Sequence, residues 1–477
     1  MNYKMITYIL GWILIFEGLF MAVPVITAII YGESALWYFL GTAVLCLALG
    51  WLLTFKKRKN TTLYSREGFV VVAMSWIVLS IFGALPMWLC GAIPSFVDAL
   101  FETVSGFTTT GASILSDVEV LPKSVLMWRS FTHWVGGMGV LVFIMAFLPL
   151  SGGQNMHMMK AESPGPSVSK IVPRVRTTAF ILYSIYFVLT LIEFILLLFG
   201  GMTIFEALNT AFATAGTGGF GFLNSSMGSF SSYIQIVITV FMLLFSVNFN
   251  SYFFILIGKF KEAFTTEVRT FVLIVLAAVS VITLNIMHMF ESVGDAIRHS
   301  AFTVATVIST TGFSTVDFDL WPELSKAILV LLMFIGACAG STGGGIKVSR
   351  IIILFKGMAK ELNNVIHPRR VNKIKLDSHI VDHETVRSVN VYMVAYTLIF
   401  MTSILLISID NHSFATNVTA VTATINNIGP GLEAVGPTCN FGFFSVPSKL
   451  VLIFDMLAGR LELFPMLVLF KPSTWKK

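Results

Sequence analysis

The sequence predicts an all-α membrane protein in which four pseudo-symmetric repeats, each a span, a half-helix and a second span, surround one central pore, with a two-helix hairpin at the N-terminus. Three observations lead there. Of 477 residues, 56% are hydrophobic and 12% charged, with a mean hydropathy of +0.84, a balance that suits a bilayer and not water. Apolar stretches of about 20 residues, enough to cross the hydrocarbon core, recur along the chain. A short glycine-centred motif returns four times in the same surroundings.

The apolar stretches are 8–31, 36–55, 69–89, 125–150, 179–198, 233–257, 270–290, 328–355, 391–409 and 451–470, the eighth interrupted by glycines. Inside lipid the backbone must satisfy its own hydrogen bonds, so each is expected to be helical. The first follows Lys4 but runs too long for a signal peptide and has no small-residue cleavage site before Glu33, so it reads as a retained helix. Basic residues set the orientation. Lys56, Lys57, Arg58, Lys59 and Arg66 follow the second stretch, and Lys160, Lys170, Arg174 and Arg176 the fourth. Lys259, Lys261, Arg269, Lys347, Arg350, Lys356, Lys360, Arg369, Arg370, Lys373, Lys375, Lys471, Lys476 and Lys477 then fall on the same, cytoplasmic side, as do both termini. Loops with Glu102, Asp117, Glu119, Asp317, Asp319, Glu323 and Glu433 face outward. The net charge of +6 sits at span ends, which excludes a soluble nucleic-acid-binding face. Cys46, Cys90, Cys338 and Cys439 have no metal spacing. Packing explains them better than a disulfide.

The motif recurs at intervals of roughly 90 to 120 residues. Its copies are Thr108-Thr109-Thr110-Gly111-Ala112, Thr217-Gly218-Gly219-Phe220, Thr310-Thr311-Gly312-Phe313 and Asn427-Ile428-Gly429-Pro430. Ahead of each lies a semi-apolar segment, 95–108, 203–215, 293–309 and 412–425, too short to span and suited to a re-entrant half-helix. Small and hydroxylated residues, such as Ala211, Ala213 and Thr214, let these segments pack closely among other helices. The motif stands where the chain must turn back at membrane depth, which irregular backbone can do only under cover of protein or water. The predicted units are a hairpin at 1–67 and repeats at 68–155, 156–262, 263–386 and 387–477.

Such a unit suits a cation. Backbone carbonyls can replace the water of a dehydrating ion, provided several point at one axis. Glycine reaches the dihedrals this needs, and Gly111, Gly219, Gly312 and Gly429 stand at the required places. The half-helices end at the motif, where their partial negative charge of about half an elementary unit favours a cation. The candidate filter is therefore Thr109, Thr110, Gly111, Gly218, Gly219, Thr310, Thr311, Gly312, Asn427, Ile428 and Gly429. In the second copy, rich in glycine, Gly218 is the alternate to Gly219.

Two further features belong to the path. The run Gly336-Ala337-Cys338-Ala339-Gly340-Ser341-Thr342-Gly343-Gly344-Gly345 is too glycine-rich for a continuous helix, at about 1 kcal/mol per glycine. It reads as a loop beneath the third filter segment and a movable gate, against the plainer reading of a kinked packing site. Its lysine is displaced by Ile346 and no hydroxyl follows it, so the phosphate-binding pattern fails. Arg460, inside the last apolar stretch, is expected to project into the pore, the alternatives being a pair with Asp455 or Glu462 or snorkelling. Glu193 is expected in a structural pair.

These residues resemble the bacterial Trk/Ktr family of potassium uptake proteins, of the TrkH type, over nearly the whole chain. The resemblance is carried by Ser105-Gly106-Phe107-Thr108-Thr109-Thr110-Gly111-Ala112, Trp134-Val135-Gly136-Gly137-Met138-Gly139, Ala339-Gly340-Ser341-Thr342-Gly343-Gly344-Gly345, Asn427-Ile428-Gly429-Pro430-Gly431-Leu432 and Gly459-Arg460-Leu461-Glu462. It implies K+ as the transported ion and a homodimer with one pore per subunit in the bacterial cytoplasmic membrane. It also implies one filter glycine per repeat, an intramembrane loop gate, an arginine below the filter, and a cytosolic nucleotide-binding regulatory subunit of the TrkA type. The second motif, Ala215-Gly216-Thr217-Gly218-Gly219-Phe220-Gly221, has more glycines than the family usually shows. Coupling of K+ to H+ or Na+ is the alternative, but the half-helices carry only Glu102, Glu206 and Asp295, near their outer ends. An enzyme is not expected: no HExxH, Ser-His-Asp or paired-carboxylate pattern occurs, and His133, read as membrane-facing, has no partner histidine at helical spacing.

Overall fold

Hydroxyl residues placed just ahead of apolar runs set many of the helix starts. Ser95, Thr203, Ser231, Thr265, Ser292, Ser413 and Ser445 each accept a hydrogen bond from a backbone N–H in the first turn of the helix that follows. The computed structural model describes residues 1–55, 64–139, 175–368, 373–377 and 379–476. Among them, six helices are long and apolar enough to cross a membrane: Tyr3–Tyr31, Leu36–Thr54, Ser65–Leu89, Thr177–Phe199, Thr266–Met289 and His383–Asp410. Lys56, Lys57, Arg58, Lys59, Lys160, Lys170, Arg174, Arg369 and Arg370, which carry much of the orientation argument, lie outside the described residues. So does the end of the 125–150 stretch, whose described part is the helix Lys123–Gly137.

The N-terminal hairpin packs on itself through small residues. A Cβ on Gly50 would lie 2.6 Å from the Gly11 carbonyl oxygen, so the two helices meet backbone to backbone, as lipid-embedded helices do when no hydrophobic drive separates them from solvent. Its outer turn reaches the next unit: the Glu33 carboxylate accepts from the N–H groups of Lys123, at 2.6 Å, and Ser124, at 3.0 Å, and so caps the helix that begins there. At the other end Tyr3 donates to the Trp475 carbonyl at 3.1 Å, which brings the two ends of the chain together.

Four shorter helices, Phe96–Phe107, Ile204–Ala215, Val293–Ile308 and Phe414–Ile425, occupy the segments predicted as half-helices, with ends within two residues. The helices Ser65–Leu89 and His383–Ile407 begin ahead of positions 68 and 387, where repeats were expected to start.

Two expected spans are corrected. The 233–257 stretch is not one helix: Ser232–Phe245 and Phe249–Leu256 meet at 92°. Neither glycine nor proline stands at the break. The carbonyl of Ser246 accepts from Cys338 N–H at 3.0 Å and that of Phe245 from Thr342 Oγ1 at 3.0 Å, so the Gly-rich loop takes over bonds the helix gives up. The 451–470 stretch is likewise interrupted. Val446–Arg460 ends in a turn where Glu462 and Leu463 have φ of 60° and 64°, and a separate helix, Phe464–Phe470, follows.

Candidate functional site

The four half-helices end alike. In the first, the N–H of Thr110 bonds to the Ser105 carbonyl at 2.9 Å and that of Thr109 to Gly106 at 3.1 Å. This is a Schellman ending, with Thr109 in the left-handed region. Gly218 with Ala213 at 2.9 Å, Thr311 with Thr306 at 2.8 Å and Ile428 with Ala423 at 2.9 Å repeat the longer bond. The left-handed residues are Thr109, Thr217, Thr310 and Asn427, with φ of 57°, 54°, 61° and 54°. For a β-branched residue this costs about 1–2 kcal/mol, so the position is held by its surroundings and not by preference.

Two residues further on stands the glycine of each motif, Gly111, Gly219, Gly312 and Gly429, with φ of 78°, 73°, 90° and 99°. Their neighbours close a cycle. A Cβ on Gly111 would lie 1.8 Å from Gly218 O, on Gly219 2.0 Å from Thr311 O, on Gly312 2.4 Å from Ile428 O and on Gly429 2.9 Å from Thr110 O. Each glycine thus faces the carbonyl that precedes the glycine of the next motif, and the fourth returns to the first. All four line one vestibule of about 170 Å³, together with the loops that follow the motifs. In one of those loops Asp117 accepts from Asn224 at 2.8 Å and from Glu119 N–H, which holds its carboxyl below the usual carboxylate range.

The surplus glycines of the second motif have a steric cause. A Cβ on Gly216 would lie 2.2 Å from the His133 carbonyl oxygen, and one on Gly218 2.1 Å from His133 Nδ1. His133 is fully buried, not membrane-facing as expected. Its Nδ1 donates to the Gly106 carbonyl at 2.8 Å, which leaves Nε2 to accept from Phe220 N–H at 3.3 Å. The histidine therefore braces the first half-helix against the second motif. Gly219, not Gly218, has the positive φ of the other three glycines, while Gly218 supplies the carbonyl equivalent to those of Thr110, Thr311 and Ile428.

Sequence reasoning placed Glu102 near an outer helix end, but it is buried against Arg129 at 2.7 Å. Glu102 also accepts from Ser113 Oγ and from Ile114 N–H, each at 3.0 Å, while Arg129 donates to the Gly221 carbonyl at 3.2 Å. The pair ties the chain just past Gly111 to the chain just past Gly219. Removing one member leaves the other charge buried alone, so Arg129→Met is expected to lower stability by about 3–5 kcal/mol, read as an earlier thermal transition in detergent. The double variant Glu102→Leu/Arg129→Met should recover most of that loss. Glu193 makes no ion pair among the described residues, contrary to expectation.

On the other side of the motifs lies the Gly-rich loop, running from the end of Glu323–Ile335 to the start of Val348–Ile366. Gly344 N–H donates to Thr310 Oγ1 at 2.6 Å and Gly345 N–H to the Asn426 carbonyl at 3.0 Å. Gly343 and Gly344 have no room for a side chain, since a Cβ would lie 2.8 Å from Ser309 O and 2.2 Å from Asn426 O. Glu267 holds both ends of the loop, accepting from Ala339 N–H at 2.7 Å and from Ser349 N–H at 3.1 Å. In the sequence it is one acid in the first turn of a span, where it reads as an ordinary helix-start residue. Gly340 and Ser341 sit at the loop's far bend, where Gly340 O accepts from Phe249 N–H at 3.0 Å and Ser341 Oγ donates to Cys338 O at 2.6 Å.

Arg460 pairs with neither Asp455 nor Glu462. It donates to Thr342 O at 2.8 Å, to Gly137 O at 2.6 Å and to Gly136 O, which joins the loop to the helix Lys123–Gly137. Glu462 pairs instead with Arg350, and Asp455 accepts from Ser403 Oγ at 2.7 Å. The four cysteines are free thiols.

The TrkH family model, described as a cation transport protein, matches residues 37–477. The Trk system potassium uptake protein TrkH of Salmonella typhimurium is 37% identical over 486 residues, covering all of both chains. TrkG of Escherichia coli is 33% identical, covering 99% of each. The crystal structure of the potassium transporter TrkH from Vibrio parahaemolyticus superposes with a TM-score of 0.89 at 34% identity, with full coverage of both chains. With a family match across most of its length and relatives this similar from end to end, the chain belongs to the TrkH family of cation transport proteins.

Proposed function

We propose that the protein carries K+ across a cytoplasmic membrane through a filter formed by Thr109, Thr110, Gly111, Gly218, Gly219, Thr310, Thr311, Gly312, Asn427, Ile428 and Gly429. The observation that carries this reading is the closed cycle of four glycines, each set against the carbonyl before the next. Half-helices whose partial negative ends converge on such a cycle lower the cost of taking a cation out of water. The units 68–155, 156–262, 263–386 and 387–477 are then four quarters of one pore, with 1–67 as an outlying hairpin. The loop from Gly340 to Gly345, with Ser341, Thr342, Gly343 and Gly344 between them, and Arg460 act as the gate.

Relatives named as parts of the Trk potassium uptake system support K+ as the ion and a partnership with other components of such a system. The partners proposed are a second copy of this chain and a cytosolic nucleotide-binding subunit, with both termini on the cytoplasmic side and the apolar span faces in lipid. Coupling to H+ or Na+ finds no support in the acids of the half-helices. Glu102 is consumed by Arg129, Glu206 caps its own helix at Thr203, and Asp295 lies in the first turn beside Ser292.

Purified protein in liposomes, with K+ and Na+ gradients varied separately from pH, tests the reading. K+ flux should exceed Na+ flux and follow its own gradient at constant pH. Equal flux of the two ions would remove the filter, and flux driven by a pH gradient alone would restore the coupled alternative.

A further inference from the structure

The Gly-rich loop meets the half-helix ends in a way that steric blocking alone does not require. The C-terminal ends of the third and fourth half-helices offer Thr310 Oγ1 and the Asn426 carbonyl. These are the groups, hydroxyl and carbonyl oxygen at a partly negative helix end, that suit a monovalent cation stripped of part of its water. The loop answers each with an amide N–H, from Gly344 and Gly345, the positive end of a peptide dipole. At the equivalent position of the first motif a further oxygen, Thr109 Oγ1, is buried and has no hydrogen-bond partner among the described residues. Asn427 Oδ1 is turned instead to the last helix, 3.0 Å from where a Cβ on Gly459 would stand, while its amide nitrogen donates to Thr110 Oγ1 and the Met456 carbonyl. Thr109, Thr310 and Asn427 hold the same left-handed position in their repeats, two residues before the glycine cycle. Unpartnered buried oxygens cost free energy unless something visits them.

We propose that the closed loop stands in for a cation: the N–H groups of Gly344 and Gly345 take the oxygens, Thr310 Oγ1 and Asn426 O, that with Thr109 Oγ1 form an inner cation site below the glycines. Occupancy of that site and closure of the loop exclude one another. This rests on the conduction reading above. Its consequence is that the permeant ion itself shifts the loop outward, because a ligand that binds only the withdrawn state multiplies the ratio of withdrawn to closed by one plus its concentration over its dissociation constant.

Cys338 reports the loop in the protein as it exists. It is fully buried, and its N–H is tied to Ser246 O at 3.0 Å, so alkylation by N-ethylmaleimide requires the loop to leave. Cys46, fully buried in the hairpin, is the internal standard. With the protein in liposomes at constant ionic strength, K+ replaces choline and the labelled peptides are quantified by mass spectrometry. Labelling of Cys338 should rise with K+, by about tenfold at roughly ten times the dissociation constant while the withdrawn state is the minor one, and level off only as that state comes to dominate, while Cys46 stays unchanged. Thr310→Val should raise labelling in choline and flatten its K+ dependence, and Thr310→Ser, which keeps the hydroxyl, should restore both. If Thr310→Val does not fold, the wild-type titration and Thr310→Ser decide.

Labelling that is the same in choline and K+ while flux stays K+-selective overturns the shared site and leaves the filter reading intact. Thr310→Val with raised labelling but an unchanged K+ dependence also overturns it, by reducing the hydroxyl to a structural role. Loss of K+ preference in the wild-type flux would overturn both readings together.

Discussion

Gly111→Ser is expected to lower the preference for K+ over Na+ by at least about tenfold, a change of about 1.4 kcal/mol between two ions of equal charge. A Cβ at this position would lie 1.8 Å from the Gly218 carbonyl oxygen. No rotamer relieves that contact, because the Cβ is fixed by the backbone. The φ of 78° adds a cost of about 1–2 kcal/mol for any L side chain. One repeat must therefore move away from the next by more than an ångström, and the carbonyl of the residue before Gly219 moves with it. Since the cycle is closed, the same change at the other three glycines should act in order of clearance. Gly219 has 2.0 Å, Gly312 2.4 Å and Gly429 2.9 Å, so Gly429→Ser should be the mildest. Competition of Na+ with Rb+ uptake in cells lacking other K+ uptake measures the ratio. Unchanged selectivity in Gly111→Ser would take that residue out of the filter, and equal effects at all four would contradict the steric basis of the ranking.

The half-helices are legible in the sequence because each is a semi-apolar segment too short to span that stops at a glycine-centred motif. Both signals are local, and the structure places the ends within two residues. The 92° break after Phe245 is not, because its cause lies far along the chain: Cys338 and Thr342 supply the bonds that let the helix part. Arg460 is visible in the sequence as a charge costly enough to need a destination, but that destination is carbonyls of two separate segments, Thr342 in the loop and Gly136 and Gly137 at the end of Lys123–Gly137, and carbonyls leave no mark in a sequence. The extra glycines at Gly216 and Gly218 were visible as an oddity, and only the position of His133 explains them. The buried pair of Glu102 and Arg129 shows the same limit. The two residues lie 27 apart, in a half-helix and the span after it, and only the packing of those two helices makes one chemical unit of them.

Arg460→Ala is expected to raise K+ flux in liposomes holding this protein alone by about an order of magnitude, without loss of K+ preference. The guanidinium is the one group described as bonding both to the loop, through Thr342 O, and to the end of Lys123–Gly137, through Gly136 O and Gly137 O. Hydrogen bonds from a charged donor are worth about 1.5–3 kcal/mol each, so loss of the loop's share alone shifts a closed-to-open ratio tenfold or more. On the conduction reading proposed above, truncation also removes a fixed positive charge from the cation's path, which lowers the barrier in the same direction. Arg460→Lys separates the two effects. It keeps the charge but replaces a fork that reaches three carbonyls with a single ammonium, so its flux should fall between wild type and Arg460→Ala. Deletion within the 336–345 loop should raise flux by removing the obstruction itself, and adding Arg460→Ala to that deletion should raise it further only through the charge. Flux at the wild-type level in both Arg460→Ala and the loop deletion would show that neither holds the path closed.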